Sequence, residues 1–591
     1  MHTFHIPVMA TGFTVDTPLK VTRFGIASVV SMVDDIFLEQ VRERVSTEHG
    51  KPFVAIADYD EDSRARRITA YLNLLHEIIG EQFTELRNSS FEDDGEIVRY
   101  CELLPNCKLR VVFEKMLNCN DPELRQSMQD TIRQSIKPGP IDVNIMTKLD
   151  RDFDRRGNAY PKNSSDALSG LRGFMNSDVD GAVILSAGMN RRLFSYIAKF
   201  DAAFPDSAGY TRKRIILKVS DYRSALVQGK MFAKLGLHVS EYRVESGLNC
   251  GGHAFGGKGQ LMGPVLGEFR ENKQLLFDTL QAIRLKALAT AERVDCGQPP
   301  VARITAQGGI GDSAEDALLR DHYQVDGTGW GSSFLFVPEV TNVDSESLKR
   351  MVAARSKDIS LSPSSPLGVP FWSMVTSESE VTRLNKIAQG VPGSKCPKGF
   401  LAADTEFTKA PSCTASRAYQ KRKLAQISEG ALTAEEQAEA QAAVLAKACI
   451  CHDLAGVATI KMGIDTTATA SICCGPNAAY FEGTTTLKDM ANHIYGRLGL
   501  PLNSERPHMF INELRLSIDF LREDITRCSE DFSERMMQSI NDCRENLERG
   551  VEHYRELAAS TLTQKCDSFV SGLESIQQEL AEIKEKSSLF V

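Results

Sequence analysis

The sequence lacks the features that direct a chain to a membrane, to export or to nucleic acid. It has no run of about 18 uninterrupted apolar residues, so we expect no membrane span. The N-terminus MHTFHIPVMATGFTVD has no basic segment before an apolar core, so we expect no signal peptide. A formal net charge of −9 over 591 residues gives no reason to expect nucleic acid or an anionic membrane as partner. A cytoplasmic protein is predicted.

Two common nucleotide-binding motifs are also missing. The chain contains no Walker loop and no glycine fingerprint opening a βαβ unit for NAD. Its 14 cysteines occur without an export signal, which predicts a reducing compartment. There they act as free thiols, reactive groups or metal ligands rather than as a disulfide framework.

Eight short β-rich runs alternate with helical patterns. Each run is brief and apolar or β-branched, as is typical of strands buried on both faces. Repeated strand–helix alternation predicts a closed parallel (β/α)8 TIM barrel rather than an open sheet. The runs cover residues 5–13, 26–32, 141–146, 181–186, 214–220, 241–246, 302–307 and 324–330.

The spacing of the strands predicts three regions. Residues 1–345 form the barrel, with a helical insertion at about 55–138, and residues 346–480 form a cysteine-rich domain. Residues 481–591 form a helical tail, apolar at three- and four-residue spacing. That stripe is expected to pack against the barrel or against a sister subunit, which would make the protein a homo-oligomer.

Two glycine-rich loops follow the last two predicted strands. The seventh strand ends in GGIG, with a helix beginning near Asp312, and the eighth ends in GWGSS. In TIM barrels these loops commonly bind a phosphate through bare backbone N–H groups and a helix N-terminus. The alternative is that both are glycine turns that only close the barrel.

These loops resemble a known family. TAQGGIG and VDGTGWGSSF resemble the flavin-phosphate loops of nitronate monooxygenases (2-nitropropane dioxygenases) and the related FMN-dependent enoyl reductases. GLNCGGH resembles the sixth-strand loop of that family, and IPVMATGF and IDVNIM resemble its first and third strands. The resemblance runs in order over about residues 1–340 and does not extend to the rest of the chain.

The resemblance implies FMN lying over the barrel mouth. Met9 and Ala10 would pass the isoalloxazine ring, and Asn144 would hydrogen-bond near its polar edge. The ribityl chain and phosphate would contact Ser246, Gly251, Gly308, Gly309, Gly329, Trp330, Gly331 and Ser332.

His253 matches the family histidine that acts as a base or steers the substrate over the flavin. Imidazole titrates near neutral pH and suits proton transfer beside a flavin redox step. The alternative is a histidine that only caps its loop. This chain has Asn249-Cys250 where the family has Glu-Ala, so the family's substrate does not carry over.

Six cysteines fall between residues 396 and 474, mostly beside Pro, Gly or Ser. Loop thiolates of this kind can hold an iron–sulfur cluster. Zinc, for which His452 is a further candidate, a redox-active thiol pair and inert reduced thiols are the alternatives. The candidate ligands are Cys413, Cys449, Cys451, Cys473 and Cys474.

These observations predict an FMN-dependent oxidoreductase that acts on a small organic substrate between the flavin and His253. An electron donor such as a nicotinamide would dock directly on the flavin. The first alternative is a flavin and iron–sulfur reductase with enoyl, sulfur or electron-transfer chemistry. The second is a degenerate barrel that serves as an assembly scaffold through its helical tail.

Overall fold

The structure is a computed structural model. It describes residues 2–92, 95–146, 149–154, 157–186, 188–252, 259–293, 301–395, 398–530, 533–560 and 566–587.

Eight parallel strands form a closed barrel in sequence order, which confirms the predicted (β/α)8 fold. The barrel closes where β1 pairs with β8, with Phe4 opposite Thr328 and His5 opposite Gly329. The strands are β1 (Phe4–Ile6), β2 (Ala27–Ser31), β3 (Ile141–Ile145), β4 (Gly181–Leu185), β5 (Lys213–Val219), β6 (Glu241–Glu245), β7 (Arg303–Gln307) and β8 (Gly327–Gly329).

The interior of the barrel has an apolar layer and a polar upper layer. Val29, Ala182, Ile184 and Ile216 form a separate apolar cluster inside it. Because side chains alternate between the two faces of a strand, the inward positions nearer the carboxyl ends are occupied by polar residues. These are Asn144, Lys218, Glu245 and Gln307.

Helices surround the barrel, and the predicted insertion is helical. Helices α3 to α6 occupy the insertion, and α3 packs on α2 and α7. The helices up to β8 are α1 (Thr17–Val21), α2 (Asp35–Glu48), α3 (Ser63–Asn88), α4 (Glu96–Leu103), α5 (Lys108–Leu117), α6 (Pro122–Ser135), α7 (Asp166–Met175), α8 (Arg191–Ile197), α9 (Tyr222–Lys234), α10 (Met262–Thr290) and α11 (Ser313–Ala317).

The segment after the barrel forms an apolar lid over its mouth. Phe371, Phe400, Leu401 and the thiols of three cysteines pack together on Ala10 and Met146 of the barrel. A buried ion pair between Lys398 and Asp34 ties this lid to the loop after β2. The elements are α12 (Ser345–Ala353), β9 (Ile359–Ser362), β10 (Phe371–Met374), α13 (Glu378–Ala388), α14 (Arg417–Glu429), α15 (Ala434–Leu445) and α16 (Ile450–Lys461).

The last part of the chain is helical, as predicted, and it packs on the barrel. Helices α18, α19 and α20 contact one another, and α19 also contacts α10. The division at residues 345 and 480 stays a prediction. The helices are α17 (Leu487–Ile494), α18 (Met509–Glu530), α19 (Glu534–Ser560) and α20 (Cys566–Ser587).

In the described part of the chain, no single helix has the length and apolar character to cross a membrane. The bent pair α15 and α16 meets that criterion jointly, by length and composition alone.

Candidate functional site

A charged hydrogen-bond network lines the mouth of the barrel. The Glu245 carboxylate lies 3.0 Å from the Lys218 ammonium. It also accepts hydrogen bonds from the amides of Gln307, at 2.8 Å, and Asn249, at 2.9 Å. These donors come from β5, β7 and the loop after β6, so three neighbouring strands fix the position of one carboxylate.

His5 sets the orientation of this network from below. Burial lowers the pKa of His5 to about 3, so its ring is neutral near neutral pH. Its Nε2 lies 2.9 Å from Oε1 of Gln307. Because an amide oxygen only accepts, Nε2 carries the ring proton and the Gln307 NH2 group is directed to Glu245.

The mouth above this network is partly open and contains an unpaired acceptor. The side-chain oxygen of Asn144 is buried and has no hydrogen-bond partner among the described residues. The hydroxyl oxygen of Thr11 is also buried and has no hydrogen-bond partner among the described residues. Ala10 adopts a positive φ of 48°, a strained conformation of the kind found at ligand sites. The partly exposed residues around the opening are Val8, Ala10, Asn144, Met146, Lys218 and Glu245.

The glycine loop after β7 already has partners from its own chain. The Gly311 N–H donates to the Glu315 carboxylate at 2.8 Å, and Glu315 forms a two-point ion pair with Arg506 at 2.9 and 2.7 Å. Arg506 also donates to the Gly309 carbonyl, as does Asn477. A side-chain carboxylate therefore takes the place of an anion at the start of α11.

The loop after β8 is covered in a similar way. The Ser332 hydroxyl donates to the Cys474 carbonyl at 2.6 Å. Gly475 follows with a φ of 68°, and a Cβ there would lie 2.7 Å from the Ser332 oxygen. A Cβ on Gly331 would lie 2.9 Å from Cβ of Cys250. Residues 473–477, which we call the strap, thus lie directly on this loop.

The strap also reaches the loop after β6. The backbone N–H groups of Gly251 and Gly252 hydrogen-bond the Cys473 thiol. A Cβ on Gly251 would lie 2.6 Å from Cα of Met9, so this glycine is required by chain packing alone.

The fit of FMN differs between its two ends. At the ring end the site fits, because Asn144 offers an unpaired acceptor and Lys218 a positive charge, both at inward positions of the partly open mouth. At the phosphate end the strap occupies the loops, although the Ser333 hydroxyl just after Ser332 is buried without a partner among the described residues. The complete FMN molecule therefore does not fit this conformation. Its phosphate group can bind only if the strap moves away from the loops.

The predicted site residues fall into two groups. Ala10 and Asn144 line the mouth, and the others lie at the strand ends or in the loops below or beside the strap: Ser246, Gly251, Gly308, Gly309, Gly329 at the end of β8, Gly331 and Ser332. The side chains of Met9 and Trp330 are buried in the core at 0% and 1% exposure, so only their backbone faces the loops. His253 lies outside the described residues.

The structure does not support the predicted metal centre. Over the ranges that it describes, no group of three His, Cys, Asp or Glu side chains is placed to hold a metal ion. Within those ranges, no disulfide joins the cysteines whose side chains are described. Cys449, Cys451 and Cys473 pack in the lid, and Cys474 packs in the main core. These thiols are therefore surrounded by apolar side chains. Cys413 is buried as well.

Burial also keeps the innermost thiols protonated. It raises the pKa of Cys250, Cys473 and Cys474, because the low dielectric disfavours the thiolate. Metal ligation and nucleophilic attack both require the thiolate. This favours the alternative of reduced, unreactive thiols for these three residues.

Comparisons with known proteins return solved structures only. No family model matches the chain, and no curated protein does. FabK from Thermotoga maritima is 12% identical, with 68% of this chain and 84% of that chain covered and a TM-score of 0.31. The enoyl reductase domain of MlnA from the macrolactin biosynthesis cluster of Bacillus amyloliquefaciens is 14% identical, covering 68% and 89%, with a TM-score of 0.36. Nitroalkane oxidase from Streptomyces ansochromogenes is 11% identical, covering 63% and 84%, with a TM-score of 0.29.

Similarity at this level gives no information about the activity of this chain, which has to be argued from its own residues.

Sequence reasoning missed the polar network at the mouth. Lys218, Glu245 and Gln307 each stand at an inward position near the end of a predicted strand, so the alternation of RIILKVS and EYRVES contained the signal. Arg506 carried no such signal, because it lies in a loop 191 positions from Glu315.

Proposed function

We propose that this protein is an FMN-dependent oxidoreductase acting on a small organic substrate at the mouth of the barrel. The observation that carries the proposal is the unpaired Asn144 oxygen in a partly open mouth that also holds the Lys218–Glu245 pair. The motifs of the glycine loops support FMN as the cofactor. An electron donor and assembly into homo-oligomers through the helical tail belong to the same proposal.

The residues of the mouth have distinct tasks in this proposal. Asn144 accepts a hydrogen bond from the flavin ring, and Lys218 holds a positive charge near it, since Glu245 fixes the ammonium at 3.0 Å. When bound, FMN supplies the hydride or electron transfer. The lid excludes water from the mouth through Phe371 and Phe400. His253 moves the proton of the substrate.

Asn144→Ala is expected to weaken FMN binding about tenfold, the effect of losing one hydrogen bond of about 1.4 kcal/mol. The measurement is the quenching of FMN fluorescence on titration with the full-length protein. Asn118→Ala, an exposed position at the end of α5, is the control. Equal FMN affinity in both variants would remove Asn144 from the site.

His253→Ala is expected to lower turnover by about 100-fold, at the low end of the range for a general acid or base, while FMN affinity is unchanged. A nitroalkane anion and an enoyl thioester serve as test substrates. His76→Ala, on an exposed face of α3, is the control and should keep full turnover. Unchanged turnover in His253→Ala would show that the histidine has no part in the chemistry.

The covered phosphate loops favour a second candidate, a barrel that binds no flavin and serves as an assembly scaffold. The two candidates differ in FMN binding. A wild-type protein that binds no FMN, together with a Cys473→Ser variant that also binds none, supports the scaffold and contradicts the oxidoreductase.

A further inference from the structure

A second cavity, of about 330 Å³, lies in the lid region away from the barrel mouth. Helix α13 contributes Arg383 and Lys386, the chain before α14 contributes Lys395, and α14 begins with Arg417. Lys447, just before α16, completes the cationic wall. Its volume falls within the range of about 300–1,000 Å³ that is typical of small-molecule sites. We propose that this cavity binds a small phosphorylated molecule.

The positive charges of the cavity are poorly compensated. Among the described residues, Arg383 forms an ion pair with Glu380, and no ion pair is formed by Lys386, Lys395, Arg417 or Lys447. Among the described lining residues, Asp453 is the only carboxylate; it accepts from the Thr469 hydroxyl at 3.2 Å and lies 3.3 Å from His452. Like charges that converge in one concave site repel one another, and a bound anion relieves that repulsion.

The wall is held in place by backbone contacts. Arg417 N–H donates to the Ser394 carbonyl at 3.0 Å, and Ser394 N–H donates to the Ala415 carbonyl at 3.1 Å. A Cβ on Gly393, whose φ is 79°, would lie 2.7 Å from Cα of Arg417. This close crossing of two chain segments brings Lys395 and Arg417 to the same side of the cavity.

An uncapped helix terminus faces the same space. Helix α16 has Cys449 as its N-cap, and the Cys449 side chain accepts no hydrogen bond from the first turn. Cys449 itself lines the cavity. The N–H groups of Ile450, His452 and Asp453 donate to backbone carbonyls, so it is the positive end of the helix dipole that favours an anion at this position.

The donors in the wall suit a phosphate. Beside the five cations, the wall presents hydroxyl groups from Ser379, Thr382 and Ser394. Arginine, lysine and hydroxyl donors together satisfy the several acceptor oxygens of a phosphoryl group. Burial lowers the pKa of Lys447, whose ammonium also donates to the Pro363 carbonyl at 2.8 Å. A dianion beside this lysine would stabilise its charged form.

The proposal is tested by calorimetric titration of the full-length protein with inorganic pyrophosphate at low ionic strength. We expect binding that weakens with added salt. In the double variant Lys386→Met and Arg417→Met, the dissociation constant should rise by about tenfold or more, the effect of losing charge-assisted hydrogen bonds. The control double variant, Lys349→Met and Lys488→Met, removes two exposed cations that do not line the cavity and should bind as the wild type does.

Three results would overturn the proposal. They are the absence of pyrophosphate binding to the wild type, equal affinity in the cavity variant and the wild type, and equal or tighter binding of citrate. The second result would also be obtained if pyrophosphate bound at the glycine loops of the barrel, because the cavity variant leaves those loops unchanged. Circular dichroism establishes that both double variants are folded.

Discussion

Arg506→Met is expected to lower the free energy of unfolding by about 3–5 kcal/mol, because it leaves the Glu315 carboxylate buried without its partner charge. Both side chains are only 2% exposed. Arg506 also donates to the Gly309 carbonyl and to Asn477, so the loop after β7 loses several hydrogen bonds at once. The measurement is urea unfolding followed by circular dichroism.

A matched variant and a double variant separate this effect from the loss of an ordinary ion pair. Arg522→Met removes an exposed pair with Glu579 at 2.8 Å and should cost about 1 kcal/mol or less. In the double variant Arg506→Met and Glu315→Gln, part of the stability should return, since no unpaired charge stays buried. Equal losses in the two single variants would contradict a buried ionic network at this loop.

The stability of the protein is expected to fall as the pH rises from about 4.5 to about 7, because of Glu513. Burial raises the pKa of Glu513 to about 7, although Met262 N–H and the Tyr554 hydroxyl donate to it. In this interval the folded chain holds a proton that the unfolded chain has lost. Unfolding therefore releases a proton and is favoured by higher pH, with a total effect of about 3 kcal/mol.

Glu513→Gln is expected to remove this dependence. The amide imitates the protonated carboxyl group, so the variant should be more stable than the wild type by about 3 kcal/mol near pH 8 and similar to it near pH 4.5. Thermal unfolding over a pH series measures the difference. Glu545→Gln, at an exposed position of α19, should follow the wild-type curve. Parallel curves for wild type and Glu513→Gln would show that Glu513 titrates normally.

The strands of the barrel were predictable, because each one is a short apolar run between helical patterns. Residues 213–219, which form β5, show which features of a strand can be predicted from its sequence and which cannot. Their apolar character predicts a buried strand, and their alternation places Lys218 inside the barrel. The partner of Lys218 depends on the register between β5 and β6, which no local pattern encodes.

The cysteines illustrate a limit of spacing arguments. Cys413, Cys473 and Cys474 lie in loops, as their sequence settings predict, whereas Cys451 lies in α16, and three of the clustered cysteines do meet in space. Composition cannot tell whether such thiols face a metal or apolar neighbours. Phe371, Phe400 and Leu401 determine this, and they lie between 48 and 102 positions away from those three cysteines along the chain.

The strap could not be foreseen from the glycine loops either. GGIG and GWGSS are compatible with a bound phosphate and with close packing of chain against chain, since both require the absence of a Cβ. Only the placement of Ser332 beside Cys474, 142 positions away, distinguishes the two in this conformation.

The contact between Arg506 and Gly309, 197 positions apart, has a consequence for synthesis of the protein. When the eighth strand leaves the ribosome, the nascent chain can close the barrel, but the turn after β7 still lacks its guanidinium. That turn reaches its final form only after Arg506, 177 positions beyond the end of β8, has also been translated. Until then the carboxylate of Glu315 faces water, and the nascent barrel has an open mouth.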